Sequence, residues 1–257
     1  MEFENTIGLE THVQLKTNTK MFCGCLLKTG CDPNTNVCPV CLGYPGALPV
    51  MNKEAVKLTV MSGMMLGCEI SRHATFDRKN YFYPDNPQNY QISQLYSPIC
   101  QGGYVEIAEG KKKIRIHEIH MEEDAGKLVH IGKASYIDFN RTSVPLIEIV
   151  SQPDLSSAEE VVAYLERLRS LLRFAKVSEC RMEQGSMRCD VNLSVRPEGS
   201  DKLGVRTEMK NMNSIESIKR AIEYETARHI DVLESGGVIS QQTCRFDEAN
   251  GKTVPMR

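Results

Sequence analysis

Alternation constrains this chain most. Seven segments, 7–15, 104–108, 114–121, 135–140, 146–150, 187–195 and 205–210, set apolar and polar residues in turn, the period of a half-buried strand. Helical periodicity is confined to three segments. Asn52 caps one that runs to about Leu66, with Gly67 as its stop. Ser157 and Glu160 form a capping box for a second, which runs to about Phe174 on an apolar stripe of Val161, Leu165, Leu168 and Leu172. Ser214 caps a third, with Ile215, Ile218 and Ile222 on one side and Gly236-Gly237 at its end. Strands outnumber helices, and helices do not follow each strand in turn. The expectation is an α+β fold, a largely antiparallel sheet with packed helices, rather than a doubly wound one. A chain of 257 residues is long enough to bury a sizeable core.

Charge and composition narrow the function classes. Lys and Arg number 31 and Asp and Glu 33, a net charge of -2. That excludes a chain that grips nucleic acid over its whole surface, though not a local basic patch. With no Trp and 6% aromatic residues, no stacking platform for single strands is visible. No apolar run approaches the roughly 18 residues needed to span a bilayer. The start, Met1-Glu2-Phe3-Glu4-Asn5, is acidic and unlike a signal peptide. The expected chain is soluble and cytoplasmic, without a membrane partner.

The polar strand faces carry the chemistry. A period of two puts Glu10 beside His12 on one face of 7–13. It puts Arg188, Asp190 and Asn192 together in 187–195, and Arg206, Glu208 and Lys210 together in 205–210. Taken singly, each face reads as a solvated one. Glu148 reads differently, because it is a lone carboxylate inside the apolar run Val144-Pro145-Leu146-Ile147-Glu148-Ile149-Val150. A carboxylate there costs several kcal/mol unless it is paired or binds a metal. Glu10, His12, Glu148, Asp190 and Glu208 would supply hard oxygen ligands and an imidazole, a set suited to Mg²⁺ or Mn²⁺ with a phosphate ligand. Neither GxxxxGK[ST] nor GxGxxG occurs, so the usual loop routes to phosphate do not apply.

Four of the ten cysteines form a cluster. Cys23-Gly24-Cys25 is followed, after twelve intervening residues, by Cys38-Pro39-Val40-Cys41. Two close thiolate pairs match a tetrahedral, structural zinc site, with Cys31 between them as an alternative ligand. Gly, Asp, Pro and Asn around them read as loop rather than core.

Longer motifs carry a family resemblance. Ile7-Gly8-Leu9-Glu10-Thr11-His12, the stretches 77–85 and 90–94, His120-Met121-Glu122-Glu123-Asp124-Ala125-Gly126-Lys127, Asn140-Arg141, Pro145-Leu146-Ile147-Glu148, Gly185-Ser186-Met187-Arg188-Cys189-Asp190 and Lys210-Asn211-Met212-Asn213-Ser214 occur in order along the chain. Together they resemble the GatB family, the B subunits of aspartyl/glutamyl-tRNA(Asn/Gln) amidotransferases. The resemblance implies a glutamine-synthetase-like cradle domain over 1–257, with a zinc-binding loop inserted at 23–41. It implies an ATP-dependent carbon–nitrogen ligase with glutamine as amido donor. The side-chain carboxylate of misacylated Glu-tRNA(Gln) or Asp-tRNA(Asn) is phosphorylated, and ammonia from the amidase partner, the A subunit, then displaces the phosphate. A small third partner, the C subunit, completes the heterotrimer. The implied magnesium ligands are Glu10, His12, Glu123 and Glu148. Asp190 and Glu208 are further acidic positions, and Lys79, Arg188 and Arg206 are cations at the nucleotide. Cys23, Cys25, Cys38 and Cys41 match the zinc-bearing version of the family. The family continues beyond a point matching Arg257 into helical and tail domains that hold the tRNA, so those domains are expected to be absent from this chain.

Two other classes stay open to the residues alone. A zinc-bearing tRNA-binding module would bind in a salt-dependent way and be indifferent to Glu10 or Asp190. A stand-alone glutamine-synthetase-like ligase would turn over a small acid without tRNA.

Overall fold

The first strand of the chain lies inside the sheet, not at its edge. In the structure, a computed structural model that describes residues 2–28 and 30–256, β1 (Phe3–Gln14) pairs on one side with β10 (Pro145–Ser151) and on the other with β11 (Met187–Pro197), both antiparallel. Met1 and Arg257, named above as the ends of the chain, lie outside the described residues. Beyond β11 come β12 (Thr207–Lys210), β13 (Gln242–Asp247) and β14 (Lys252–Pro255). Beyond β10 come β7 (Lys112–Glu123), β5 (Cys100–Gln101) and β2 (Glu69–Ile70), with β6 (Tyr104–Ile107) also on β7. Among the described residues, every pairing in this sheet is antiparallel except β12 with β13. Two hairpins stand apart from it: β3 (Asp77–Asn80) with β4 (Tyr90–Ser93), and β8 (Lys127–Ile131) with β9 (Ala134–Asp138).

One face of the sheet is the core. Ile7, Leu9 and Val13 of β1, Ile147 and Ile149 of β10, and Val191 and Leu193 of β11 are almost wholly buried. Helices cover this side: α1 (Lys53–Met65) over β2, β5 and β7, α3 (Ile215–Glu234) over β11 and β14, and α2 (Ala158–Phe174) between α3 and β6. The α2 stripe of Val161, Leu165, Leu168 and Leu172 is fully buried, each side chain contributing roughly 1.5–3 kcal/mol. The N-caps are those the sequence predicts, although Glu160 accepts from the Ser156 amide rather than from the Ser157 amide that a capping box requires. Asn52 accepts from the Glu54 and Ala55 amides, Ser157 from Glu160 and Ser214 from Ser217.

Two predicted strands fall short of their alternation by two residues each. The segment expected over 205–210 begins pairing only at Thr207, because the chain at Gly204 approaches the backbone of Val195 so closely that a Cβ would lie 2.1 Å from its carbonyl oxygen. The segment expected over 135–140 leaves its hairpin at Asp138, whose side chain caps a short turn by accepting from the Asn140 amide at 3.0 Å.

Candidate active site and metal centre

The other sheet face is polar. Strand register sets its side chains in rows. At one level His120 of β7 stands beside Glu148 of β10, then His12 of β1, then Arg188 of β11. One residue pair further along, Glu10 stands beside Asp190, which receives the Lys210 ammonium at 2.9 Å. At the next level Asn192 stands beside Glu208, which is opposite Thr243.

These rows produce two acidic clusters. His12 Nε2 lies 3.3 Å from Glu122 and 3.3 Å from Glu148. Glu148 also meets His120 Nε2 at 3.2 Å, and His120 Nδ1 meets Glu118 at 3.1 Å. The second cluster is Glu10, Asp190 and Glu208. Asn192 donates to Glu10 at 2.9 Å, Thr243 donates to Glu208 at 2.8 Å, and Lys210 bridges Asp190 and Glu208. Within each of the sets His12–Glu122–Glu148 and Glu10–Asp190–Glu208, the potential ligand atoms lie within 4.8 Å of one another. Carboxylate oxygens with a single imidazole are the donors that hard divalent cations take.

The electrostatics follow from burial and pairing. Burial favours a neutral His12, but the Glu148 hydrogen bond and the charges of Glu122, Glu148 and Asp190 outweigh it and raise its pKa. Burial likewise opposes charge on His120, and Glu118 and Glu148 overcome it, raising that ring to about 10. Burial works against the Glu148 carboxylate, yet the two imidazoles hold it well below the ordinary range. Glu122, buried beside Glu148, is raised. The field extends to the Tyr81 phenol, which burial and the surrounding carboxylates push up to about 12.

A cavity of about 460 Å³ lies over this floor. Its walls bring Lys79 of β3, Gln91 of β4, the Asp124-Ala125 turn, and Asn211 to Asn213 after β12 around His12, Glu122, Arg188, Asp190 and Lys210. Arg188 donates to Asp124 at 3.0 Å. Arg206 is exposed just before β12 and is not part of the cavity lining, although its charge reaches Glu208 and helps to lower that carboxyl's pKa.

Glu123 requires a correction. The resemblance places it among the metal ligands, but the structure turns it to the other side of β7. There its Oε1 accepts from the Ile92 amide at 3.1 Å and the Gln88 amide at 2.6 Å, and burial pushes its pKa up to about 7. Its neighbour Glu122 takes the place beside His12. Successive residues of a strand face opposite ways, and Met121 and Glu123 share the side away from His120. The Glu118-Ile119-His120-Met121-Glu122 alternation carries that parity and would have identified Glu118, His120 and Glu122.

The cysteine loop forms a second centre. The Sγ atoms of Cys23, Cys25, Cys38 and Cys41 lie within 4.8 Å of one another, while Cys31 stands outside them against a different cavity, with Asn140 and Arg141. Four thiolates are the donor set of a closed zinc site. Cys41 is lowered to about 5, chiefly by the hydrogen bond from the Cys23 thiol, with help from the Lys20 charge. Lys20, 0% exposed, lies 3.5 Å from the Cys41 sulfur and donates to the Asn36 carbonyl at 3.0 Å. Its role had no signal in the sequence, since no local pattern distinguishes it from an exposed loop lysine.

An open sheet face that gathers carboxylates, imidazoles and ammonium groups under one cavity defines a site able to bring a metal ion and an anionic ligand together. The comparisons with known proteins agree on the family. A model described as the GatB/GatE catalytic domain matches residues 5–257, and the chain belongs to that family. It is 55% identical over 260 residues to the B subunit of the aspartyl/glutamyl-tRNA(Asn/Gln) amidotransferase of Clostridium tetani, covering 100% of this chain and 54% of the relative. It is 54% identical over 271 residues to the protein of that name from Methylacidiphilum infernorum, covering 100% of this chain and 56% of the relative. The chain thus spans about half the length of the curated relatives it matches. Among the described residues, no helix is long and apolar enough to cross a membrane.

Proposed function

We propose that this chain is the catalytic, phosphorylating part of the B subunit of a tRNA-dependent amidotransferase, a cradle domain with a glutamine-synthetase-like layout. Its substrate is the side-chain carboxylate of a glutamate or aspartate misacylated to tRNA(Gln) or tRNA(Asn). Its partners are an amidase, the A subunit, which releases ammonia from glutamine, and the small C subunit. One observation carries this reading: His12 and Glu122 of one acidic cluster, Asp190 of the other, and the cations Lys79, Arg188 and Lys210 line one cavity.

The chemistry needs two displacements. The substrate carboxylate oxygen attacks the γ-phosphorus of ATP, a C–O–P link forms, and the bond from γ-phosphorus to its bridging oxygen breaks to release ADP. Ammonia then attacks the acyl carbon, the C–O bond breaks, and inorganic phosphate leaves as the nitrogen sheds a proton. Both partners of the first step are anions, so the site must neutralise charge and align them. Magnesium or manganese, held by His12, Glu122 and Glu148 and by Glu10, Asp190 and Glu208, supplies charge neutralisation when bound. Lys79 on the hairpin wall and Arg188 on the floor, which both line the cavity, would hold phosphate oxygens in this reading. Lys210 and Asn192 orient the second cluster by their bonds to Asp190, Glu208 and Glu10. The protein offers no nucleophile of its own and needs none, since the substrate carboxylate and ammonia are the attacking groups. Zinc on the four cysteines is structural in this reading.

Calorimetric titration of the chain with ATP and Mg²⁺, beside Asp190→Asn, tests the assignment. Binding that requires the metal and falls at least tenfold in the variant is the expected result. Equal binding by both folded proteins would remove the nucleotide from this face.

A further inference from the structure

The zinc loop and the cavity are joined by hydrogen bonds linked through adjacent backbone residues. The loop between the cysteine pairs is fixed to the segment 137–140 through backbone groups at both ends. Asn34 donates to the Ile137 carbonyl at 2.9 Å and accepts from the Phe139 amide at 2.7 Å. The Asn140 side chain does the reverse job, accepting from the Asn36 amide at 2.8 Å and donating to the Asp32 carbonyl at 2.8 Å. The next residue, Arg141, crosses to the cavity wall. Its Nε donates to the Ala125 carbonyl at 3.0 Å and its Nη2 to the Gly126 carbonyl at 2.6 Å. Ala125 and Asp124 line the cavity, and Asp124 holds Arg188 at 3.0 Å.

The turn at Gly126 is closely packed against the segments that carry these contacts. A Cβ on Gly126 would lie 3.0 Å from the Asp85 carbonyl oxygen, 3.1 Å from the Phe139 ring and 3.2 Å from the Asp138 carbonyl oxygen. Close packing of this kind transmits a displacement rather than absorbing it. The loop is itself shaped by its sulfurs. A metal that draws four thiols to one point offsets the ordering entropy that opposes the loop's shape.

We propose that Asn140 and Arg141 are positioning residues that make nucleotide affinity depend on zinc occupancy. The zinc-held loop fixes Asn140, Asn140 fixes the start of Arg141, and Arg141 fixes the turn whose Asp124 aims Arg188 into the cavity. Neither positioning residue needs to touch the nucleotide. The inference rests on the reading of the cavity as a nucleotide site, and it adds that the four-cysteine loop tunes that site instead of only fastening a surface segment. By linkage, nucleotide binding should tighten zinc by the same factor.

The test is a cycle on the full chain. Zinc-loaded protein and protein stripped by a chelator, then dialysed free of it, are titrated with a non-hydrolysable ATP analogue and Mg²⁺. Wild type, Asn140→Ala and Arg141→Lys are compared, with zinc content and thermal midpoint recorded for each. Stripping should weaken binding by wild type about tenfold. Zinc-loaded Asn140→Ala should keep its zinc and its midpoint to within about 3 °C, yet bind about tenfold more weakly, and stripping should then change it less than twofold. Arg141→Lys retains the charge but loses the fork across two carbonyls, and it should behave as Asn140→Ala does. Folded, stripped wild type that binds as tightly as the loaded form would overturn the proposal. So would an undiminished tenfold effect of stripping in Asn140→Ala. If stripped protein unfolds, the loaded variants decide, and native affinity in both overturns the coupling. Absence of binding by zinc-loaded wild type would instead overturn the nucleotide reading, and this inference with it.

Discussion

Glu225 shows how a single buried charge shapes stability outside the cavity. It is 0% exposed on α3, pairs with Arg228, lies 3.3 Å from His229 Nε2, and accepts from Thr253 of β14 at 2.6 Å. Burial opposes its charge, but those partners hold the carboxyl at about 2, below the ordinary 4.5. A depressed carboxyl binds its proton less readily in the folded state than in the unfolded one. Its stabilisation is therefore complete above pH 4.5 and lost as the pH falls toward 2. Glu225→Gln should cost about 3 kcal/mol at pH 7, since Arg228 loses its buried counter-charge. The variant should also lose the acid-sensitive limb between those two pH values. Urea denaturation at a series of pH values checks both. An unchanged acid limb would show that the pairing does not set stability there.

At the level of elements, the caps separate local from tertiary work. Ser157 caps α2 with one bond to the Glu160 amide at 3.2 Å, so Ser157→Ala should cost about 1 kcal/mol. Asn52 does more. It caps α1, and its Nδ2 also donates to the Thr19 and Lys20 carbonyls at 3.0 and 3.2 Å, tying the helix start to the strand exit before the cysteine loop. Asn52→Ala should cost about 2 kcal/mol, and equal losses in the two variants, measured by chemical denaturation, would deny it that second role. The helices α1, α2 and α3 were legible in the sequence because caps and 3.6-residue stripes are local. The long strands were legible because alternation is local too. The hairpin β3–β4 was not legible as strands, since Asp77-Arg78-Lys79-Asn80 has no apolar face and owes its shape to pairing with Tyr90–Ser93. The site divides on the same ground. Glu10, His12, Glu148, Asp190 and Glu208 stand out by residue type within their strands. Which of them meet depends on β1 lying between strands some 140 and 180 residues away, and no local pattern states that. The family resemblance points to Glu123, whereas parity on β7 sets Glu122 on the side of His12.

The whole molecule is a plate with two unlike faces. Helices and core residues cover one, and the other concentrates Glu10, Glu118, Glu122, Glu148, Asp190 and Glu208 against fewer fixed cations. A chain of net charge -2 thus keeps a locally anionic surface beneath the cavity lined by His12, Glu122 and Asp190. Two consequences oppose each other. Like charges a few ångströms apart strain the folded state, and the same charges give a divalent ion a reason to bind the folded state alone. Magnesium should therefore raise the thermal midpoint of zinc-loaded protein, by about 5–10 °C once its concentration reaches a hundredfold excess over its dissociation constant. Glu148→Gln and Asp190→Asn should each lose a large part of that rise, since each removes a ligand from one cluster. Magnesium binding should also weaken as the pH falls, because His12 coordinates only as the neutral ring and its neighbours favour its protonated form. Sodium chloride at matched ionic strength supplies the decisive comparison. Screening alone acts on any salt and scales with ionic strength, whereas a built site distinguishes magnesium from sodium. Scanning calorimetry of wild type and both variants in the two salts would separate them, and an equal rise in both salts would mean the acidic face is strained without being a metal site.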